Sequence, residues 1–376
     1  MGQRLGVWAA VLVAVAAVCA PAAQASRRLL VGIQDDAMIL QGSPAATFAT
    51  LKNLNAKIVR INLFWGGRLG VAQKRPADGA DPDDPAYNWD VYDRAVRYAS
   101  QYGIKVLFSI YRTPSWAGGG RLGNHAPRRS NDLLNFAYAA ATRYSGTFVP
   151  FGDDNPLPPV RLWLAWNEPN NPVWLTPQFR GGKIYSAKLY KNICEAVWSG
   201  VHTTNLGGET VACGATGPRG NNRARSSRPS VSPLPFIRAL KKAGLKHFDA
   251  FAHHPYYSNK TQTPRSRPRG HNDVQLGNIN DLIHLVDQLW KGHKPIWITE
   301  YGFQTNPPDR LFGVSFAPQA AYVRQAIGIA RSNPRIDVFI WYLMRDDTSP
   351  GGWQSGFLTT KGKKKPSYRA FQRAAR

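Results

Sequence analysis

A single (β/α)8 barrel is the fold this sequence predicts, and three observations lead to it. Eight short apolar runs alternate with helical patterns from end to end. Most of those runs are continuous Val, Ile, Leu and aromatic stretches rather than alternating ones, as expected for parallel strands covered on both faces. The connections after the strands are long and the returns from helix to strand are short, and barrel sites are built from the loops that follow the strands. A chain of 376 residues is within the span of one such barrel.

The strands are read at 29–34, 58–65, 104–111, 160–166, 210–215, 248–253, 295–300 and 336–342. Ser43-Pro44 opens the first helix as N-cap and first-turn proline, and Asn88 opens the second, which stops at Gly103. Further helices are predicted at 131–145, 183–203, 233–243, 278–291 and 318–332, and one near 366–375 closes the eighth unit. The long connections fall at 66–88, 112–130, 167–182, 216–232, 254–277 and 343–358, and no linker rich in Pro, Thr or Ser marks off a second module.

Residues 1–25 have a secretory layout: Arg4 supplies the positive start, an apolar stretch runs from about Val7 to Ala20, and Ala23-Gln24-Ala25 offers a small-residue cleavage site. The expectation is a signal peptide over 1–25 and a secreted barrel over 26–376, with no membrane association after cleavage. Cys19 lacks a lipid-attachment context, with Ala16 and Val18 before it. Cys194 and Cys213 then remain as one candidate disulfide, and spacing alone leaves their pairing open.

Forty-eight Lys and Arg against 23 Asp and Glu give a formal charge of +25, which attracts polyanions through its long-range field. The charge is dense at Arg219, Arg223, Arg225 and Arg228 and again at Lys260, Arg265, Arg267 and Arg269, in loops that follow strands. Solvated loops are the plainer reading of both runs. No aromatic residue interleaves them, which argues against a stacking platform for nucleic acid. The expected partner is an oligo- or polysaccharide, with a tilt toward an acidic or cell-wall-associated one, bound by a monomer.

Two motifs carry chemistry. Trp-Leu-Ala-Trp-Asn-Glu-Pro at 163–169 and Ile-Trp-Ile-Thr-Glu-Tyr-Gly-Phe at 296–303 each end a strand on a carboxylate. Glu168 after the fourth strand and Glu300 after the seventh would face each other across the barrel mouth. A carboxylic acid that protonates a leaving oxygen and a carboxylate that attacks an anomeric carbon are the two parts of retaining glycoside hydrolysis, and the acid needs a raised pKa for its part. Asn167 can donate its amide to a sugar hydroxyl beside the reacting carbon.

On these residues the chain resembles the clan A glycoside hydrolases, most closely family 5 or family 39-like members of secreted bacterial type, over essentially the whole mature chain. The resemblance implies that Asn167-Glu168-Pro169 carries the acid/base and Glu300 the nucleophile. It further implies that Arg60 hydrogen-bonds the nucleophile, that Tyr256 contacts it, that His254 positions substrate or the acid/base, and that Trp341 forms an aromatic floor under the reacting sugar. The run Lys-Lys-Pro-Ser-Tyr-Arg-Ala-Phe at 364–371 is similar to the last helix of such enzymes. The third strand departs from the family 5 pattern, ending in Tyr111-Arg112-Thr113-Pro114-Ser115-Trp116 rather than with a nearby histidine.

Trp65, Trp116, Trp166, Trp174, Trp341 and Trp353 lie at strand ends or in the following loops, where they could stack on pyranose rings. Of these, Trp65, Trp116 and Trp341 are taken as substrate-binding, and Trp166 is placed in the barrel wall as readily as in the cleft. His253-His254 lacks a third ligand at metal-binding spacing, so neither a metal nor another cofactor is expected. Gly118-x-Gly120-x-x-Gly123 fits a dinucleotide fingerprint but is followed by a loop rather than a helix, so it reads as a flexible rim. A transglycosylase on the same scaffold and a non-catalytic carbohydrate-binding protein remain as alternatives.

Overall fold

The computed structural model describes residues 29–349 and 351–376. The predicted signal peptide over 1–25 and Cys19 lie outside the described residues. Eight parallel strands close into a barrel: β1 (Leu30–Gln34), β2 (Ile58–Phe64), β3 (Lys105–Tyr111), β4 (Leu162–Ala165), β5 (Thr210–Thr216), β6 (Ala250–His253), β7 (Ile296–Tyr301) and β8 (Ile336–Tyr342). Each pairs with its neighbour in sequence, and β8 closes on β1.

Among the described residues, eight helices of nine residues or more cover the barrel: α1 (Pro44–Asn53), α2 (Asp90–Gln101), α3 (Ser130–Arg143), α4 (Ser186–His202), α5 (Pro233–Lys242), α6 (Ile279–Leu289), α7 (Phe316–Ser332) and α8 (Pro366–Ala374). Their starts follow the expected signals. Pro44, Pro233 and Pro366 sit in first turns, where a missing N–H costs nothing. Asn88 accepts the Asp90 amide at 3.1 Å. After α2, Gly103 turns the chain at φ +67°. The fourth helix begins three residues later than its expected start at 183, because Lys183–Ile184 pairs with Phe179–Arg180 in a small hairpin.

Two apolar layers divide along strand alternation. Ile58, Leu107, Leu164, Ala212, Ala250, Ala252, Trp297, Val338 and Ile340 fill the barrel interior. Their opposite-parity neighbours on each strand, among them Val59, Phe108, Trp163, Ile298 and Phe339, pack outward under the helices. Cys213, on the outward face of β5, is disulfide-bonded to Cys194 on α4, with Cα atoms 5.9 Å apart, which ties that helix to the sheet. Among the described residues no helix is long and apolar enough to cross a membrane.

Candidate active site

The inward face of each strand turns from apolar to polar toward its C-terminal end. Above Ile58 on β2 come Arg60 and Asn62, above Leu107 on β3 comes Ser109, and above Ala252 on β6 comes His254. These polar ends floor a cleft of about 400 Å³, whose walls include Asn167, Glu168, Trp174, Tyr256, Glu300, Tyr342 and Trp353.

Arg60 is the hub. Fully buried, its Nη1 donates to Glu300 Oε1 at 2.6 Å and to the Thr299 carbonyl at 3.0 Å, while Nη2 donates to Asn167 Oδ1 at 2.8 Å and Ser109 Oγ at 3.3 Å. Because Asn167 accepts through its oxygen, its amide N–H groups remain for the cleft. Tyr256 donates its hydroxyl to Glu300 Oε2 at 3.2 Å. His254 lies between the carboxylates, with Nδ1 3.2 Å from Glu168 Oε1 and 3.7 Å from Glu300 Oε2. Arg60 Nη1, which can only donate, lies 3.4 Å from Nε2, so the ring proton belongs on Nδ1, toward the carboxylates.

Burial by itself pushes the Glu300 carboxyl up, but the attraction of His254 and Arg60 and the hydrogen bonds from Arg60 and Tyr256 together hold it below the usual glutamate range. Burial dominates at Asp35 and Asp36, beside the β1 end of the cleft, and pushes both up to about 6. Asp36 accepts the Asn62 backbone amide at 3.0 Å and its side-chain amide at 2.7 Å.

The loop that carries Glu168 is held in a conformation an extended strand would not adopt. Trp166 sits at φ +68° and Glu168 at φ +33°, left-handed values that cost a non-glycine residue about 1–3 kcal/mol each. Tertiary hydrogen bonds hold them: Trp166 N–H to the Ile110 carbonyl at 2.8 Å, Glu168 N–H to the Ala215 carbonyl at 2.9 Å, and the Trp166 indole N–H to the Trp174 carbonyl at 2.8 Å. The turn sends Trp166 into the wall and presents Asn167 and Glu168 to the mouth.

Glu168, Glu300, Asn167, Arg60, His254 and Tyr256 thus come together as the sequence placed them. The tryptophans chosen as substrate platforms do not. Trp341 is fully buried on the outward face of β8, stacked on Phe357 at 5.5 Å with its indole N–H on the Ser355 carbonyl. It has the parity of outward Phe339, whereas Tyr342 has the parity of Val338 and Ile340 and lines the cleft. Trp65 has the parity of outward Leu63 and is fully buried against Phe136. Trp116 is half-buried edge-on to Trp65, with Arg75 over its ring, and does not line the cleft. Trp174 and Trp353 do line it. Beyond those, sequence reasoning missed Asn62, Tyr342 and Gly217, all of which strand parity or proximity to Glu168 could have singled out.

His253 points away from the site. It bonds Thr216 Oγ1 at 2.8 Å and the Val274 carbonyl at 3.0 Å, and burial lowers its pKa to about 3, so it is a neutral structural residue. Ligand atoms of Glu168, His254 and Glu300 lie within 4.8 Å of one another, close enough to hold an ion. Glu300 is already bonded to the Arg60 guanidinium and the Tyr256 hydroxyl, so a cationic partner stands where a metal would be needed to neutralise it.

No protein-family model matches this chain, and no curated protein sequence matches it. Solved structures do. A family 39 glycoside hydrolase from the gut symbiont Bacteroides cellulosilyticus WH2 superposes with TM-score 0.62 at 18% identity, over 94% of this chain and 64% of that one. A glucosidase from Croceicoccus marinus superposes with TM-score 0.65 at 15% identity, over 93% and 68%. The endo-1,4-beta-xylanase XylE of Penicillium canescens superposes with TM-score 0.58 at 14% identity, over 94% and 96%.

These neighbours are clan A glycoside hydrolases. At such identities the likeness is one of fold, a (β/α)8 barrel shared over nearly all of this chain. The chain spans less than two thirds of the length of the Bacteroides enzyme and nearly all of the xylanase.

Proposed function

We propose that the protein is a secreted retaining glycoside hydrolase that cleaves β-linked O-glycosidic bonds of an oligo- or polysaccharide. One observation carries the stereochemical part: carboxylate oxygens of Glu168 and Glu300 lie within 4.8 Å of each other. That spacing of their nearer oxygens suits double displacement, for which the carboxyl groups stand about 5–5.5 Å apart, better than inversion, for which they stand about 6.5–9.5 Å apart to admit a water.

In the first step Glu300 attacks the anomeric carbon while Glu168 gives its proton to the departing oxygen. The bond to the leaving group breaks as the glycosyl–Glu300 ester forms. Glu168, now ionised, then takes a proton from water, whose oxygen attacks the same carbon and releases Glu300. Arg60 and Tyr256 hold Glu300 ionised and oriented, Asn167 donates to the hydroxyl next to the reacting carbon, and Tyr342 with Trp353 supplies apolar surface for the sugar. No step calls for a cofactor.

The leader-like pattern of residues 1–25 and the Cys194–Cys213 disulfide favour export. The endo-1,4-beta-xylanase activity named for one structural neighbour favours a β-glycan substrate. Product release from neutral and acidic polysaccharides and aryl β-glycosides, followed by mass spectrometry with wild type and Glu300→Gln side by side, tests the reading. Cleavage by wild type alone supports it; silence from both across the panel counts against it.

A further inference from the structure

We infer that the leaving-group side of the cleft receives a sugar bearing an oxyanion, with Arg219 as the side chain that reads the charge; this rests on Glu168 being the acid of a glycoside hydrolase. The acid must stand beside the oxygen it protonates, so the departing part of the substrate lies on the Glu168 side of the reacting carbon. That side is built by the loop after β5. Gly217 abuts Glu168, and a Cβ there would meet the carboxyl carbon at 3.1 Å. Pro218 and Arg219 continue along the cleft wall.

Arg219 is exposed, and its guanidinium has one long contact, 3.4 Å to the Tyr257 carbonyl. Among the described residues no ion pair is recorded for Arg219, Arg223, Arg225 or Arg228. The nearby acid, Asp273, receives the Ser232 hydroxyl at 2.7 Å and the Gly220 amide at 3.4 Å. The loop itself is tied: Asn221 donates to Ser226 Oγ and to the Arg228 carbonyl, each at 2.9 Å, and Asn222 donates to Ser232 Oγ at 2.8 Å. Arg219 therefore stands on the cleft wall that also holds Glu168, and Arg223, Arg225 and Arg228 follow it on a tied, exposed turn.

The opposite end has the other sign. Past Tyr342 the cleft adjoins a recess of about 290 Å³ lined by Asp35, Asp36 and Asp347 along with Arg345. The field along the cleft thus runs from acidic at the glycone end to basic at the leaving-group end, and an anionic substituent is attracted to one side and repelled from the other. A neutral glycone joined to a sugar carrying a carboxylate, sulfate or phosphate fits that polarity, and a guanidinium fork matches each of these oxyanions.

Calorimetric titration of the hydrolysis-silenced Glu300→Gln protein tests this, with Glu168→Gln as the second background should the first melt early. The probes are a linear neutral β-glycan and its glucuronate-, sulfate- and phosphate-substituted counterparts at low and high salt. At least one substituted glycan binds about tenfold more tightly than the neutral one at low salt, and adding Arg219→Gln removes about that factor. The arm showing the preference names the oxyanion. With wild type, charged residues appear at the new non-reducing ends of the products. Equal binding of all four glycans, a preference that survives Arg219→Gln, or charged residues at the new reducing ends overturns the inference. Should wild type cleave nothing while the charge preference depends on Arg219, the hydrolase reading fails and the anion site stands.

Discussion

Thr299 and Glu300, consecutive on β7, both face the barrel interior. Thr299 Oγ1 lies 3.0 Å from His254 Nε2, and Glu300 Oε1 lies 2.6 Å from Arg60 Nη1. Strict alternation would put Glu300 on the outward face with Ile298. The register explains the exception: Phe339 of β8 pairs with Ile298, yet Trp341 pairs with Tyr301, so β7 carries one extra residue between those pairs. The irregularity re-aims a single side chain, as bulges beside sites do. Glu300 reaches the mouth and Tyr301 returns to the wall.

Removal of either carboxylate separates the two proposed roles. Glu300→Gln abolishes turnover on every substrate. Glu168→Gln slows hydrolysis of natural glycosides by about 10²–10⁴-fold, but slows glycosyl-enzyme formation far less for aryl glycosides whose leaving group needs no proton. Pre-steady-state bursts of released phenol check this. Equal loss on both substrate types assigns Glu168 some other role.

His254 and Arg60 together set the acid limb of activity. Because the Glu300 carboxyl is held below its ordinary value in the folded protein, kcat/KM falls only at pH below the usual glutamate range, and the stability Glu300 contributes is present at higher pH and lost as pH drops through that lowered value. Arg60→Gln shifts the acid limb to higher pH. It also costs about 3–5 kcal/mol, since a buried carboxylate loses its partner. A pH–rate profile alongside denaturant melts reads both effects.

Side-chain parity on β8 yields a paired test. Tyr342→Ala weakens binding or turnover with little loss of stability, because its ring lines the cleft. Trp341→Ala destabilises by about 3–5 kcal/mol through the cavity left between β8 and Phe357. Urea midpoints and kcat/KM measured together distinguish the two; a purely kinetic defect in Trp341→Ala would restore it to the cleft.

Gly217 leaves room for the Glu168 carboxyl. In Gly217→Ala the new methyl stands about 3.1 Å from the Glu168 carboxyl, tight enough to displace it by a few tenths of an ångström. Turnover falls about tenfold or more, as misplacement of a reacting group predicts, while the melting temperature changes little. Unchanged kcat would mean that Glu168 has slack the structure does not show.

The fold was legible because its signals are redundant. Every strand is an apolar run bounded by turns, and several helices announce themselves by proline or asparagine at the start. The polar half of the site was legible for the same reason, since Arg60 and Glu300 lie within apolar strand segments and Asn167, Glu168, His254 and Tyr256 come within a few residues after one. The aromatic half was misread because one residue decides which face of a strand a side chain occupies. Trp341 and Tyr342 are adjacent, and parity with Val338 and Ile340 selects the tyrosine. Parity was no sure guide either, since it would have turned Glu300 outward; the β7 irregularity and the left-handed turn at Trp166 depend on neighbouring strands that a linear reading does not see.

The stereochemistry of the first-formed product tests the central claim most directly. Proton NMR of the reducing end, recorded before mutarotation on whichever β-glycoside the enzyme cleaves fastest, should show the β-anomer, the result of two displacements by carboxylates within 4.8 Å of each other. An α-anomer appearing first would contradict the account, because a single displacement by water would then be at work and Glu300 would not be its nucleophile.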